Sequence, residues 1–142
     1  MNPETTDHQL EKLLAAAKNI AIVGLSPKLQ RPSNMVGRYL IRAGYRIVGV
    51  NPGQQEIFGL PCYPDLGSIP HRVDIVNIFR NSDVVMPIVE QAIEIGAAAV
   101  WMQLGIVNQP AARRAAEHGL EAVMDRCIKV EHARLLNHLL TD

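Results

Sequence analysis

Apolar and polar positions follow two rhythms along this chain. Leu10, Leu13, Leu14 and Ala17 recur at helical spacing, as do Met35, Val36, Tyr39, Leu40 and Ala43, which predicts two amphipathic helices. Between the helical stretches lie short, near-continuous apolar runs: Ile20–Gly24, Tyr45–Val50, Val73–Phe79, Ala97–Met102 and Leu120–Met124. Runs of that length predict strands buried on both faces. Further helices are predicted from Ser82 or Asp83 to Ile95, from Asn108 to just before Gly119, and over about Lys129–Leu140. Thr5 or Thr6, Ser33 and Asn108 are the expected N-caps. Pro87 and Pro110 fall in first turns, where a missing N–H costs little. Gln54–Pro70, rich in Gly and Pro, reads either as an irregular connection with room for a short edge strand or as a flap.

The order of these elements sets the fold class. Three helical segments end in glycine and run at once into an apolar strand, at Gly44, Gly96 and Gly119. Short glycine-capped αβ loops alternating with strands imply βαβ units, whose right-handed crossovers lay the strands parallel in one sheet. The expectation is an α/β, Rossmann-like three-layer sandwich of about five parallel strands, with residues 1–142 as a single domain.

Composition narrows the class of protein. Of 142 residues, 48% are hydrophobic and 20% charged, as in an ordinary globular chain. Fourteen basic and fourteen acidic residues cancel, which gives no support for nucleic-acid or membrane-surface binding. No apolar run reaches the roughly 20 residues that span a bilayer, and the first residues lack a signal pattern. Two cysteines, Cys62 and Cys127, make no disulfide framework. A cytoplasmic location with reduced thiols is the expectation.

In an open parallel sheet, ligands bind beyond the carboxyl ends of the strands. The residues there are Gly24 and Ser26, then Asn51 and Pro52, Phe79 and Arg80, Gln103 to Gly105, and Asp125 to Cys127. Gly24 leads into a loop carrying Ser26, Lys28, Arg31 and Ser33, all able to donate to phosphate oxygens, and then into a helix whose N-terminus favours an anion. The dinucleotide fingerprint is absent, because Gly24 lacks its second and third glycines and Asn51 stands where an acidic ribose ligand belongs. No Gly-Lys-Ser/Thr phosphate loop occurs either. No Ser, Cys or Asp partners a histidine at a telling spacing, so no catalytic residue is assigned. Trp101 reads as core.

The run Ile22-Val-Gly-Leu-Ser26 resembles the small CoA-binding protein family when taken together with Arg31-Pro-Ser33, Val50-Asn-Pro52, Phe79-Arg80, Val100-Trp-Met-Gln-Leu-Gly105, Asp125-Arg-Cys127 and Glu131-His132. That family is similar to the CoA-binding domain of the succinyl-CoA synthetase α subunit. The resemblance implies that coenzyme A is the ligand. It places the CoA phosphates at Gly24–Ser26 and the helix start at Ser33, and the adenosine beside Asn51 and Pro52. It sets Phe79 and Arg80 on the flank of the cofactor and Gln103, Leu104 and Gly105 along the pantetheine arm. Lys28 and Arg31 are added on charge alone. The resemblance reaches the synthetase's CoA-binding domain and not its second, catalytic domain, so it implies CoA binding and not that ligation. Three functions follow: a non-catalytic CoA or acyl-CoA carrier, sensor or regulatory module; a subunit that presents CoA to a ligase-type catalytic chain; and, against the glycine pattern, a nicotinamide-binding redox protein. Cys127 reads as a packing thiol or as one able to exchange with the CoA thiol.

Overall fold

The computed structural model describes residues 5–136. In chain order the elements are α1 (Asp7–Ala16), β1 (Asn19–Val23), α2 (Pro32–Arg42), β2 (Arg46–Val50), β3 (Glu56–Ile57), β4 (Leu60–Tyr63), β5 (Ile75–Ile78), α3 (Val85–Glu94), β6 (Ala99–Met102), α4 (Gln109–Glu117), β7 (Glu121–Val123) and α5 (Ile128–Leu135). Single 3-10 turns at Leu66–Ser68 and Ser82–Val84 precede β5 and α3.

One sheet runs in the order β3-β4-β2-β1-β5-β6-β7. Every neighbouring pair is parallel except β3 with β4. Successive side chains of a strand face opposite sides, and the sequence supplies apolar groups on both. Ile20 and Ile22 of β1 meet α1, α2 and α5. Ala21 and Val23 meet α3 and α4. Helices thus cover both faces in a three-layer, Rossmann-like α/β sandwich. The chain leaves β1 toward β2 and β4, then returns to β5 on the other side of β1. With right-handed crossovers this reversal puts α2 on one face and α3 and α4 on the other, and it opens a crevice at the carboxyl ends of β1 and β5.

The glycine stops hold. Gly44, Gly96 and Gly119 have φ of 103°, 72° and 82° at the ends of α2, α3 and α4. Thr6 caps α1 in a reciprocal box with Gln9, and the Asn108 side chain accepts from Ala111 N–H at the start of α4. Pro87 is the third residue of α3.

Three expectations change. The stretch from 54 to 70 holds the short edge strand expected there and is more regular than expected. It forms the β3–β4 hairpin, with β4 parallel to β2 and Ile57 and Cys62 buried. Phe58 and Gly59 both have positive φ, as a type I′ turn requires. The Phe58 ring lies against α2 at Gly37, where an added Cβ would come within 2.9 Å of it. Among the described residues the strands therefore number seven, six of them parallel. Ser33 does not cap α2: the helix starts at Pro32 with Arg31 as N-cap, and no side chain caps it. The Ser33 hydroxyl is drawn away by the preceding loop, where it accepts from Ser26 N–H at 3.0 Å. The final helix ends at Leu135, and the part expected at 137–140 lies outside the described residues.

Candidate functional site

The β1–α2 loop is pinned from both sides. Gly24 N–H donates to Val50 O at 2.9 Å and Phe79 N–H to Val23 O at 2.9 Å. Gly24 has φ of 89°, and a Cβ there would lie 2.6 Å from Phe79 O and 3.1 Å from Arg80 Cδ. Only glycine lets the loop pass so close to the end of β5. Beyond it, Ser26 Oγ accepts from Lys28 N–H at 3.1 Å, and the buried Asn34 donates through Nδ2 to Ser26 O at 2.8 Å. Asn34 in turn accepts from Arg38 Nε, and Arg38 also reaches Leu29 O. The loop is thus a braced arch over the start of α2.

Two features of the arch suit an anion. The first-turn N–H groups of α2 have no side-chain acceptor and carry the positive end of the helix dipole. Lys28, Arg31 and Arg80 are exposed and, among the described residues, make no ion pair. Gly24 and Arg80 meet at the β1–β5 crevice, and the loop between Gly24 and α2 carries Ser26, Lys28, Arg31 and Ser33.

Asn51 is a strut. Its Nδ2 donates to Leu25 O at 2.9 Å and its Oδ1 accepts from Gly53 N–H at 3.0 Å, which ties the arch to the end of β2. Pro52 is exposed beside it. Across the sheet, buried Gln103 accepts from Ile128 N–H at 3.0 Å through Oε1, capping α5 from β6 and leaving its Nε2 as a donor. Gly105 N–H donates to Asp125 Oδ1 at 2.7 Å. Asp125 itself has φ of 58°, a conformation Asp tolerates better than most residues. Leu104 projects into solvent from the same turn.

Two features of this edge escaped sequence reasoning. The first is Asn77, fully buried in β5 between Ile22 of β1 and Trp101 of β6. Its Oδ1 and Nδ2 are the buried side-chain atoms without a partner among the described residues. It lies on the same sheet face as Phe79, one step further from the edge. Inside the apolar run 73–79 it passed as one polar residue in a strand, and only its β5 position next to the crevice sets it apart. The second is the left-handed backbone of Asp125 and its bond to Gly105 N–H, where the sequence had placed the residue only at a strand end.

Other candidates are committed elsewhere. Trp101 is wholly buried and donates to Arg126 O at 2.8 Å. Arg126 turns to Glu131 at 3.2 Å, and Glu131 also holds Arg134, which reaches Asp7. His132 Nδ1 lies 2.8 Å from Tyr39 OH, and its ring packs edge-on against Tyr39 and Tyr45. Burial pushes the Tyr45 phenol up to about 12 and holds the His132 imidazole below its ordinary value. Cys127 is half-buried at the N-cap of α5, whereas Cys62 is buried and its thiol is pushed up by burial.

The residues fit CoA in kind. A cradle that a Cβ would fill, an uncapped helix start and three unpaired cations suit a pyrophosphate and a further phosphate. The Gln103–Gly105 turn offers an amide donor and an apolar side chain for an uncharged arm.

Comparison with known proteins agrees. The uncharacterized protein YneT of Bacillus subtilis (strain 168) is 39% identical over 125 residues, covering 88% of this chain and 93% of that one. A solved structure of a hypothetical protein from Pyrococcus horikoshii OT3 superposes with a TM-score of 0.90 at 40% identity, over 96% of this chain and 98% of the other. An acetate–CoA ligase (ADP-forming) of Archaeoglobus fulgidus is 34% identical over 74 residues, 52% of this chain but only 11% of the ligase. The family model described as a CoA binding domain matches residues 18–133, and the chain belongs to that CoA-binding domain family.

Proposed function

We propose that this protein binds CoA or an acyl-CoA at the β1–β5 crevice and serves as a non-catalytic carrier, sensor or regulatory module. The observation that carries this reading is the uncapped α2 N-terminus beneath the Gly24 arch, with Lys28, Arg31 and Arg80 free beside it. The CoA phosphates lie there, Phe79 flanks the cofactor, and the pantetheine arm runs toward Gln103, Leu104 and Gly105. Asn51 and Pro52 border the adenosine, and Asn51 holds the arch from there through its bonds to Leu25 O and Gly53 N–H.

Calorimetric titration tests the reading. CoA should bind one to one. Dephospho-CoA should bind about tenfold more weakly, because three cations exceed what a pyrophosphate alone engages. The Lys28→Ala/Arg31→Ala double variant should lose about tenfold in CoA affinity with its melting curve unchanged, since both side chains are exposed. Absence of CoA binding, or equal binding of NAD, would overturn it.

A second reading has one observation behind it. The similarity to a limited part of an ADP-forming acetate–CoA ligase supports a role as the CoA-presenting subunit of a ligase-type enzyme. A stable complex with a separate catalytic chain, active only with both present, would favour it over the carrier.

A further inference from the structure

On the far side of the Gln103–Gly105 turn the sheet ends at β7, and its edge opens into a cavity of about 650 Å3 between α4, α5 and the start of α1. Leu104, Val107 and Val130 line it, and they are 71%, 44% and 57% exposed. Three of the seven large hydrophobic residues exposed on the described surface therefore border one groove. Single exposed apolar residues need no explanation, but several around one concavity mark a binding site. Small Ala116 leaves depth along the α4 wall, and Cys127 stands at the mouth.

We infer that this groove receives the acyl chain of an uncharged acyl-CoA of medium length. The inference rests on the CoA reading above, because Leu104 belongs both to the turn beside the pantetheine arm and to the groove. An arm ending at that turn delivers its thioester to the mouth, and the chain beyond runs along the β7 edge. Of β7's outward groups, Ala122 O already accepts from the Thr5 hydroxyl at 3.3 Å, so an apolar chain does not strand that carbonyl. Glu121 and Asp125 on the rim disfavour a chain that ends in a carboxylate, and so the groove selects against dicarboxylic acyl groups. Full burial of a methylene is worth roughly fourfold in affinity. A half-open groove captures part of that, roughly twofold per methylene.

Titration with CoA, acetyl-, butyryl-, succinyl- and octanoyl-CoA reads this out. Octanoyl-CoA should bind at least about tenfold tighter than acetyl-CoA, and succinyl-CoA more weakly than butyryl-CoA. Val130→Glu and Ala116→Phe, both at exposed positions, should remove the gain with chain length and leave CoA affinity within about twofold. If CoA binds but affinity is flat with chain length, the groove is not an acyl site and the CoA reading survives. If CoA itself fails to bind, that reading falls and takes this one with it. A dimer split by Val130→Glu in light scattering, with no chain-length dependence, would assign the groove to a second copy and overturn the inference.

Discussion

Gly24 sits at φ of 89° with Phe79 O where its Cβ would be. Any side chain there meets both the left-handed penalty of about 1–2 kcal/mol and a backbone atom that cannot swing away. Gly24→Ala should therefore lower the free energy of unfolding in urea by at least about 1 kcal/mol, so lost ligand binding in that variant reports partly on folding. Lys28 and Arg31 carry the cleaner binding test. Asn77 makes the opposite case. Its two amide atoms are buried and unpaired, a cost of about 1–3 kcal/mol that a leucine, with the same number of side-chain heavy atoms, does not incur. Asn77→Leu should raise the urea midpoint; a fall would mean that a bound water already satisfies the amide. His132 gives a pH signature. Burial holds its imidazole below the ordinary 6.5, so below that pH the unfolded chain binds more protons than the folded one. Stability is full above about 6.5 and falls as pH drops through the depressed value. Thermal melts from pH 8 to pH 5 should show that decline, and His132→Gln should flatten it. These residue properties were largely illegible in the sequence, because a positive φ beside a neighbouring strand, an orphaned amide and a buried imidazole arise only from tertiary neighbours.

At the level of elements, α5 is held less by its own sequence than by what grips it. Gln103 caps it from β6, and its interior carries Glu131 between Arg126 and Arg134, the latter reaching Asp7 on α1. Glu131 is buried and holds both Arg126 and Arg134, whereas Asp7 is exposed and holds Arg134 alone, and an ion pair exposed to solvent contributes less than one shielded from it. Glu131→Gln should accordingly lower the melting temperature clearly more than Asp7→Asn; equal effects would show that the inner pair adds nothing. The element pattern itself was readable. Apolar runs gave β1, β2, β5, β6 and β7, and glycine stops gave the ends of α2, α3 and α4, because strands buried on both faces and αβ turns each demand residues that show locally. Of the β3–β4 hairpin only a short edge strand was anticipated, because its strands are two and four residues long, with Pro61 inside one. The start of α2 was misread by one cap because the Ser33 hydroxyl answers to the loop rather than to its own helix.

At the scale of the whole molecule, the switch point beside β1 brings the strand ends together, and the arch over α2 is tied to distant segments through Val50, Asn51 and Phe79 as well as braced locally. A ligand held by that arch is therefore coupled to the global fold and not to one loop. A ligand that binds only the folded state adds about 2.7 kcal/mol at 100 times its dissociation constant. Unfolding entropy of about 2.1 cal/mol/K per residue, over 142 residues, converts that to a rise of about 9 °C in melting temperature. CoA at such a concentration should give a shift of that size as a single cooperative transition. NAD and ATP should give little, since Asn51 offers no carboxylate to a ribose and no Gly-Lys-Ser/Thr loop wraps a triphosphate. A split transition, with only part of the signal moved by CoA, would show that the arch opens independently of the sheet and that the long-range struts do not couple the site to the fold.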